Sequence, residues 1–433
     1  MSKPTIVVVG GGAGGLELVT RLGRRLGKKG KADVVLVDRN STHIWKPLLH
    51  EVATGVLDSG QDEISYQAHS ASNGYRFQRG TLCDLDRDTR TLTLAAIIDD
   101  DGHEILPARR LSYDYMVMAV GSVSNDFGTE GVADHCHFLD SPAQAEGFRQ
   151  ALLNTFMRYS TRMTNDEPPC ITVGIIGAGA TGVELAAELH DASRMLKSYG
   201  FTELGREHLR VHVIEAAPKI LPALPDRISQ AVHKELEKLG VKVHVDTRVT
   251  KVDEHAITTS DDERIDIDLG VWAAGIKAPA FLSELGLQTE RNHRIKVAAT
   301  MQSIDDPHIF AFGDCASCPQ PDGKVVPPRA QAAHQQASVL YKNLCAVIDD
   351  KPLKEFVFRD RGSLISLAHF DAIGSLMRAA SARSLFIEGN LARFFYASLY
   401  RMHQRTIHGS IKTAMMVVVD GLNRFLKPRL KLH

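Results

Sequence analysis

The sequence predicts an α/β protein in which one strand, glycine-loop, helix and strand unit occurs twice and is followed by a basic, helical region. A short apolar run near residue 5 leads into a G-x-G-x-x-G motif, and the same arrangement recurs near residue 171. In both places a later strand ends in an acidic residue. From residue 390 onward there are eight Lys or Arg residues and one acidic residue, a net charge of +7. The repeat is typical of two Rossmann-like domains, and the composition of the tail is typical of amphipathic helices.

The first unit extends from Thr5 to Asp38. Its β-branched run predicts a buried parallel strand, and apolar residues follow at helical spacing. In such a unit the three glycines allow a tight turn, close approach of a pyrophosphate, and close packing of helix on strand. The helix N-terminus attracts phosphate, and the acid accepts a hydrogen bond from a ribose hydroxyl. The alternative is a glycine-rich turn without a ligand. The predicted dinucleotide contacts are Gly10, Gly12, Ala13, Gly14, Gly15, Asp38 and Arg39.

The segment 40–55 is predicted to lie along the same nucleotide, because it follows the nucleotide-binding acid. It is rich in aromatic, His and Pro residues, and Pro47 is expected to start or redirect a helix. Lys46 and Thr54 are the predicted contacts. The alternative is that this segment only packs against the core.

The region before residue 125 contains two further features. Residues 75–112, including the run Tyr75-Arg-Phe, alternate in short runs around polar turns, which predicts a small antiparallel sheet. A buried strand then begins at Tyr115 and ends at glycine. Because ligands bind beyond the carboxyl ends of strands in doubly wound sheets, Ala119 and Gly121 join the predicted nucleotide site.

The second unit begins at Ile171. Its acid, Glu215, lies 33 residues past Gly182 because residues around 193–207 lengthen the connection. Glu215 is followed by two alanines and not by Arg, so nothing obvious would receive a 2′-phosphate, which favours NADH over NADPH. The predicted contacts of the second dinucleotide are Gly177, Gly179, Ala180, Thr181, Gly182, Glu215, Ala274 and Gly275.

Two dinucleotide sites in one chain predict that two nucleotides exchange electrons face to face. One of them is expected to be FAD, because a flavin accepts a hydride from nicotinamide and can pass electrons onward. A later strand ends in Gly313-Asp314, and Asp314 is suited to accept a hydrogen bond from a ribityl hydroxyl, although the pair could be a simple turn. This strand would return the chain to the first domain. The predicted boundaries are 1–125 and 299–348 for a discontinuous FAD domain, 126–298 for an inserted NADH domain, and 349–433 for a C-terminal membrane-association region.

These motifs resemble those of the two-dinucleotide, glutathione-reductase-like flavoproteins, and more narrowly the type II NADH:quinone oxidoreductases of respiratory membranes. The resemblance covers nearly the whole chain and is greatest to the enterobacterial-type enzymes. It rests on the segments Trp45–Gly55, Ala119–Ser122, Gly177–Glu184, Gly313–Ala316, Pro327–Gln335 and Gly389–His433. It implies FAD at the first glycine motif and the Gly-Asp turn, NADH at the second motif, and Glu184 beside the nicotinamide. It also implies a peripheral protein on the cytoplasmic side of the inner membrane.

The resemblance further implies that residues 330–335 run beneath the flavin at the entrance for ubiquinone or menaquinone. Gln331, His334 and Gln335 fall at i, i+3 and i+4 of a helix begun by two prolines, so they share one face and could bind the quinone carbonyls. Gln331 and Ala332 are also predicted cofactor contacts, and Lys412 is a weaker candidate at the quinone. The alternative for the three polar residues is a solvated helix face.

Composition excludes several other classes. The 433 residues are 44% apolar and 24% charged, as in globular proteins, and the net charge of −1 gives no reason to expect nucleic acid. The six cysteines are too scattered for a disulfide framework, which favours a reducing, cytoplasmic environment. Cys315 and Cys318 have C-x-x-C spacing but nothing that completes a metal set, so no metal is predicted. No apolar window is long enough for a membrane-spanning helix or a signal peptide.

The tail predicts two amphipathic helices that lie in the plane of an anionic membrane, with apolar faces buried in lipid. The apolar residues of the first helix are Leu391, Phe394, Phe395, Leu399 and Met402, and those of the second are Ile411, Ala414, Met415, Val418, Val419, Leu422 and Phe425. The alternative is a homodimer interface or a packed core helix.

The sequence therefore predicts an enzyme that transfers hydride from NADH to FAD and two electrons onward to a quinone. Without spanning helices it should not pump protons. A sulfide:quinone reductase or another flavin-dependent NADH reductase is the nearest alternative, and the former needs suitably placed reactive cysteines. A non-catalytic redox sensor that binds FAD and NADH at the membrane is the alternative from another class.

Overall fold

Two parallel sheets of five strands each carry the fold. The structure, a computed structural model, describes residues 3–58, 60, 63–160, 170–196, 208–367, 371–377 and 384–426. The first sheet has the strand order Ile309–Ala311, Tyr115–Met118, Thr5–Val9, Asp33–Asp38 and Arg76–Arg79. The second has the order Cys136–His137, Leu269–Trp272, Ile171–Ile176, Leu209–Ile214 and Lys242–His244. All neighbouring strands in both sheets are parallel.

The two sheets have the same topology. In each, the strand that precedes the glycine motif is central. The strand that leads to the acidic residue lies on one side of it, and Tyr115–Met118 or Leu269–Trp272 lies on the other. The chain thus changes direction across the sheet at the central strand, and ligands bind at such switch points. The predicted α/β class with two repeated parallel units is confirmed.

The helices cover the sheets. Apolar side chains of the first glycine helix, including Leu16, Val19 and Leu22, are fully buried against the first sheet, as their spacing predicts. The helices are Ala13–Leu22, extended by the π-turn Gly23–Gly27, then Leu49–Thr54, Tyr66–Asn73, Val132–His135, Pro142–Ser160, Ala180–Leu196, Asp226–Leu239 and Ala330–Ile348. Short 3₁₀ turns occupy Lys46–Leu48, Ala280–Glu284 and Gly313–Cys315. The predicted lengthening at 193–207 lies largely outside the described residues.

Each unit also carries a small antiparallel sheet. The first consists of Leu82–Asp86, Thr91–Leu94 and Arg109–Ser112, and the second of Val249–Val252, Ala256–Thr259 and Arg264–Asp266. The prediction for 75–112 was wrong at its start, because Arg76–Arg79 pairs in parallel with Val35–Asp38 and completes the first main sheet. Short paired strands are Thr42–His43 with Ile64–Ser65, Ile97–Ile98 with Glu104–Leu106, Val123–Ser124 with Ile276–Lys277, and Ile295–Lys296 with Ala316–Ser317.

The C-terminal region contains both helices and a sheet. The two predicted helices are present at Gly389–His408 and Ser410–Leu426. Before them the chain forms an antiparallel sheet of Gly362–Leu367, Asp371–Met377 and Ser384–Glu388, which the sequence analysis did not predict. The first strand of this sheet packs on the helix Ala180–Leu196, a partner that local periodicity does not reveal. Among the described residues, no helix has the length and apolar character needed to cross a bilayer.

Candidate active site

The two glycine loops have nearly identical backbone geometry. Gly10 has φ of +104° and Gly177 has φ of +105°, a conformation that side chains rarely adopt. The Gly10 N–H donates to Val37 O at 2.8 Å, and the Gly177 N–H donates to Ile214 O at 2.7 Å. Each loop is therefore tied to the end of its own acid-bearing strand.

The remaining motif glycines leave a cradle for phosphate. A Cβ on Gly15 would overlap the carbonyl oxygen of Gly10, and a Cβ on Gly182 would overlap that of Gly177. In contrast, a Cβ on Gly12 or Gly179 would meet nothing within 4 Å, so the space beside these residues is open. At each loop the helix starts close to the first glycine and leaves open space at the middle glycine, a geometry that fits the pyrophosphate of a dinucleotide.

The two predicted ribose-binding acids are placed equivalently. Asp38 Oδ2 accepts a hydrogen bond from Gly11 N at 2.6 Å, and Glu215 Oε2 accepts one from Ala178 N at 2.8 Å. Burial raises the pKa of Asp38, and the N–H groups of Gly11 and Asn40 oppose that shift. Both carboxyl groups therefore lie against the glycine loop of their own unit.

Asp314 is joined to the end of the strand Tyr115–Met118. Ser122 Oγ donates to Asp314 Oδ2 at 2.8 Å, and Lys46 Nζ donates to Ser122 O at 2.8 Å and to Asp140 Oδ1 at 3.2 Å. Ser122 was missed as a site residue, although its position directly after Gly121 was a signal. The structure thus brings together three predicted parts of the first site: the 40–55 segment, the strand end and the Gly-Asp turn.

Another missed residue supports the same turn. Gln336 is fully buried, and its Oε1 accepts a hydrogen bond from Gly313 N at 2.9 Å. It follows Gln335 in the sequence, but its contact depends on the rotation of the helix Ala330–Ile348, which spacing alone does not reveal.

A cavity of about 640 Å³ opens beside the acid of the first unit. Arg39, a predicted contact, is part of its wall together with Asp140. The other lining residues include Asn40, Ser41, Thr42, Arg79, Val123, Ser124, Phe138, Ser141 and Gln144. The cavity is therefore bounded mainly by residues that follow Asp38 and by residues around the start of the helix Pro142–Ser160.

Glu184 lies at a junction of three elements. Its carboxylate is buried, accepts a hydrogen bond from Ser366 N at 3.1 Å, and lies 3.8 Å from His50 Nδ1. Burial lowers the pKa of His50 to about 4, so this imidazole is neutral at pH 7. One helical turn later, burial and the charges of Glu51, Asp191 and Glu184 raise the pKa of Glu188. His50 and Glu188 were not among the predicted site residues.

The three polar residues of the predicted quinone face do not converge. Gln331 and Gln335 hydrogen-bond the backbone of 359–362, with Gln331 Nε2 donating to Gly362 O at 3.0 Å and Gln335 Nε2 to Arg359 O at 2.9 Å. His334 instead places Nδ1 2.7 Å from Glu17 Oε2 on the first glycine helix. The spacing predicts that all three lie on one side of the helix, but Gln331 and Gln335 contact the segment 359–362, whereas His334 contacts Glu17.

The other predicted contacts are distributed around the two loops and the tail. Gly14 lies close to Phe312 and Ala333, and the Thr54 hydroxyl donates to His50 O within its own helix. Lys412 is exposed on the helix Ser410–Leu426, and none of its described contacts is with Gln331. Ala119 and Ala332 are buried, Ala13 and Ala274 are half-buried, Ala180 and Thr181 are exposed, and Gly121 and Gly275 both have positive φ at their strand ends.

The cysteines do not form a reactive thiol site. All six are free, and Cys315 and Cys318 are buried. Burial raises the pKa of each of these two thiols to about 11 and that of Cys136 to about 12, so they remain protonated at pH 7.

Comparisons with known proteins agree with this geometry. Residues 4–337 match the family model described as pyridine nucleotide-disulphide oxidoreductase. The chain is 46% identical to the type II NADH:quinone oxidoreductase of Haemophilus influenzae, over 99% of both chains. It is 27% identical to the enzyme of the same name from Staphylococcus saprophyticus, over 86% of this chain and 89% of that one.

Solved structures share the fold. NDH2 from Plasmodium falciparum in complex with NADH superimposes with a TM-score of 0.82 at 19% identity, over 99% of this chain and 100% of that one. The sulfide:quinone oxidoreductase from Aquifex aeolicus gives a TM-score of 0.74 at 18% identity, over 98% and 96% of the two chains. By its family match and its close full-length relative, the chain belongs to the pyridine nucleotide-disulphide oxidoreductases and, among them, to the type II NADH:quinone oxidoreductases.

Proposed function

We propose that the chain transfers electrons from NADH, through bound FAD, to a membrane quinone, and that it does so without pumping protons. The observation that supports this most directly is the pair of glycine loops with matching φ angles and matching open space. They occur in a chain that is 46% identical to a type II NADH:quinone oxidoreductase. When bound, FAD supplies the chemistry that accepts a hydride and passes two electrons onward.

The first loop, Asp38 and the Asp314 turn would hold FAD. Their convergence is supported by the hydrogen bond of Ser122 to Asp314, 192 residues apart in sequence, and by that of Lys46 to Ser122, 76 residues apart. The second loop and Glu215 would hold NADH. We retain the domain boundaries 1–125, 126–298, 299–348 and 349–433 as part of this proposal.

Glu184 is proposed to lie beside the nicotinamide. It is buried between the helix Leu49–Thr54 of the first unit and the strand Gly362–Leu367, so its position depends on both. The buried His50, whose Nδ1 lies 3.8 Å from the Glu184 carboxyl group, is neutral at pH 7. A carboxyl group held in place in this way would help to orient a bound nucleotide.

The quinone is proposed to enter near the start of the helix Ala330–Ile348. Gln331 and Gln335 would shape the opening through the backbone of 359–362, which they bind, and His334 would lie on the side of the first glycine helix. Lys412 remains a weaker candidate. The half-buried state of Gln331, His334 and Gln335 leaves each partly accessible to a substrate.

We propose that the helix Ser410–Leu426 binds the membrane surface. Ile411, Met415, Val418 and Leu422 lie along one side of this helix at 56–79% exposure, which is unusual for large apolar residues in series. Arg401 and Asp420 form a 2.7 Å ion pair that joins the two tail helices. Peripheral attachment to the cytoplasmic side of the inner membrane would place the quinone entrance beside lipid. A homodimer interface on the same stripe is the alternative.

The rival functions differ in what they require. A sulfide:quinone reductase needs reactive thiols, and the protonated, buried Cys315 and Cys318 do not supply them. A redox sensor would bind both nucleotides without turnover.

Steady-state assays distinguish these functions. Purified holoprotein in lipid should oxidise NADH at a rate that depends on added quinone, and sulfide should not replace NADH as donor. Glu184→Gln and Gln331→Ala should lower turnover at least about tenfold, a loss of about 1.4 kcal/mol of transition-state stabilisation, with FAD content unchanged. Unchanged turnover in both variants would contradict their proposed roles.

A further inference from the structure

A chain of hydrogen bonds connects the helices Ala330–Ile348 and Gly389–His408 to the first glycine loop. His334 Nδ1 lies 2.7 Å from Glu17 Oε2, and Glu17 Oε1 lies 2.9 Å from His403 Nδ1. His403 Nε2 lies 3.0 Å from His43 Nε2, and His43 Nδ1 lies 2.9 Å from the carbonyl oxygen of Gly11. Glu17, His43 and His403 are each at most 3% exposed, and Trp45 packs on the His403 ring.

Counting hydrogens along this chain shows that it needs one more proton than neutral histidines and a carboxylate contain. A carbonyl only accepts, so His43 carries its proton on Nδ1, and its Nε2 must accept. His403 must then donate from Nε2. A neutral His403 would leave a bare Nδ1 facing the Glu17 carboxylate at 2.9 Å, where two acceptors would repel each other.

The chain is complete only when a proton lies between His403 and Glu17. It can reside on His403 as an imidazolium or on Glu17 as a carboxylic acid, and these two forms differ by a shift along one hydrogen bond. His43 does not hold it, because burial and the charge of His403 lower its pKa to about 3. His334 needs only its neutral Nδ1–H form.

We propose that this shared proton positions the first glycine loop, and that Glu17, His403 and His43 are positioning residues for FAD. The inference rests on the proposed function in one respect, the assignment of the first loop to FAD. Without the proton one contact has no hydrogen: either His403 Nδ1 faces the Glu17 carboxylate bare, or the hydrogens of His403 and His43 shift towards Glu17 and His43 no longer donates to Gly11 O. FAD retention should therefore fall as the pH rises through the pKa of the pair.

The surrounding charges act on this pair from every neighbouring element. Burial alone would raise the pKa of Glu17, but its hydrogen bonds to His334 and His403 hold it below its usual value. Burial lowers the pKa of His403, and its bond to Glu17 opposes that shift. The neighbouring titratable or charged groups include Arg21, whose guanidinium lies 3.8 Å from Glu17, and His69 and His408, whose charges act on His43. Tyr66 also faces His43, and its hydroxyl donates to Gly11 O at 2.7 Å. Arg24 and Lys412 act on His69 and His408.

The variant Glu17→Gln distinguishes a role of the shared proton from a purely structural role of Glu17, because only the former predicts that the pH dependence of FAD release is lost. Its amide can donate to a neutral His403 Nδ1 and accept from His334 Nδ1–H, so the whole chain is satisfied without the additional proton. FAD release is followed by flavin fluorescence between about pH 5.5 and pH 9, where imidazole titrates. We expect release from the wild type to increase at least about threefold across this range, and release from Glu17→Gln to stay constant.

Two further variants locate the proton. His334→Gln keeps a neutral donor to Glu17, so its pH dependence should match the wild type, whereas a flat profile would place the titration on His334 and overturn the inference. Glu237→Gln, on the exposed side of the helix Asp226–Leu239, is the matched control and should also retain the wild-type profile. A Glu17→Gln profile identical to the wild type would likewise overturn the inference.

A measurement that needs no FAD keeps the outcome distinct from that of the proposed function. In ¹⁵N-histidine spectra of the wild type, His403 should show a proton shared with Glu17 that is lost as the pH rises, and the assignment is made by its absence in His403→Asn. A chain that binds no FAD would contradict the proposed function, and these spectra would then decide the inference. Spectra in which His403 Nδ1 is neither protonated nor hydrogen-bonded to a protonated Glu17 at any pH from about 5.5 to 9 would overturn it.

Discussion

At the scale of single residues, substitution of the third glycine in each motif allows the two nucleotide sites to be tested separately. Gly15 and Gly182 occupy equivalent positions, because in both a Cβ would overlap the carbonyl oxygen of the first glycine of the motif. The overlap is with backbone, so it cannot be relieved by a rotamer change. Each substitution should therefore damage one nucleotide site and leave the other intact.

We predict that Gly15→Ala is purified with little FAD, whereas Gly182→Ala retains FAD but has a KM for NADH raised at least about tenfold, equivalent to about 1.4 kcal/mol. Flavin absorbance per protein and steady-state KM are the measurements. Gly147→Ala is the matched control, because this glycine is exposed in a helix with nothing within 4 Å of its Cβ position. FAD loss in Gly182→Ala with normal FAD in Gly15→Ala would reverse the assignment of the loops.

At the scale of elements, the parts that sequence predicted correctly are those determined by short-range pattern. Strand, glycine loop, helix and acid lie within about forty residues, and turn chemistry and periodicity encode them locally. The strand Arg76–Arg79 was assigned to the wrong sheet because its partner, Asp33–Asp38, is distant in sequence. The same reason explains the missed C-terminal sheet, the direction of His334, and the contacts of Ser122, Gln336 and His50.

The exposed stripe of the helix Ser410–Leu426 gives an element-scale prediction. Val418→Glu places a charge at the centre of the stripe and removes an apolar side chain worth roughly 1.5–3 kcal/mol when buried. Binding to anionic vesicles, measured by co-sedimentation, should weaken at least about tenfold with FAD content unchanged. Ser410→Glu adds the same charge at an exposed position outside the stripe and should weaken binding much less. Equal effects of the two changes would indicate attraction by net charge alone, and unchanged vesicle binding with loss of a dimer would favour the dimer interface.

At the scale of the whole molecule, buried neutral histidines couple stability to pH. Burial lowers the pKa of His43 to about 3 and that of His50 to about 4. Below about pH 6.5 the unfolded chain takes up protons that the folded chain excludes, so these groups reduce the free energy of unfolding as the pH falls from about 6.5 towards 4. Their contribution to stability is fully present above that range.

We predict that the free energy of unfolding in urea falls between about pH 6.5 and pH 4.5, and that His50→Gln reduces this fall by on the order of 1–2 kcal/mol. His103→Gln is the control, because this side chain is 78% exposed and lies on a surface turn. A slope that His50→Gln leaves unchanged would show that His50 titrates normally in the folded chain.

The central claim is that two nucleotides held on equivalent loops exchange electrons and that a quinone then receives them. Anaerobic rapid mixing of the holoprotein with NADH, followed by a second mixing with quinone, tests it most directly. We expect the visible absorbance of the flavin to bleach within the turnover time and to recover when quinone is added. Flavin that stays oxidised with NADH, or stays reduced with quinone, would contradict the account.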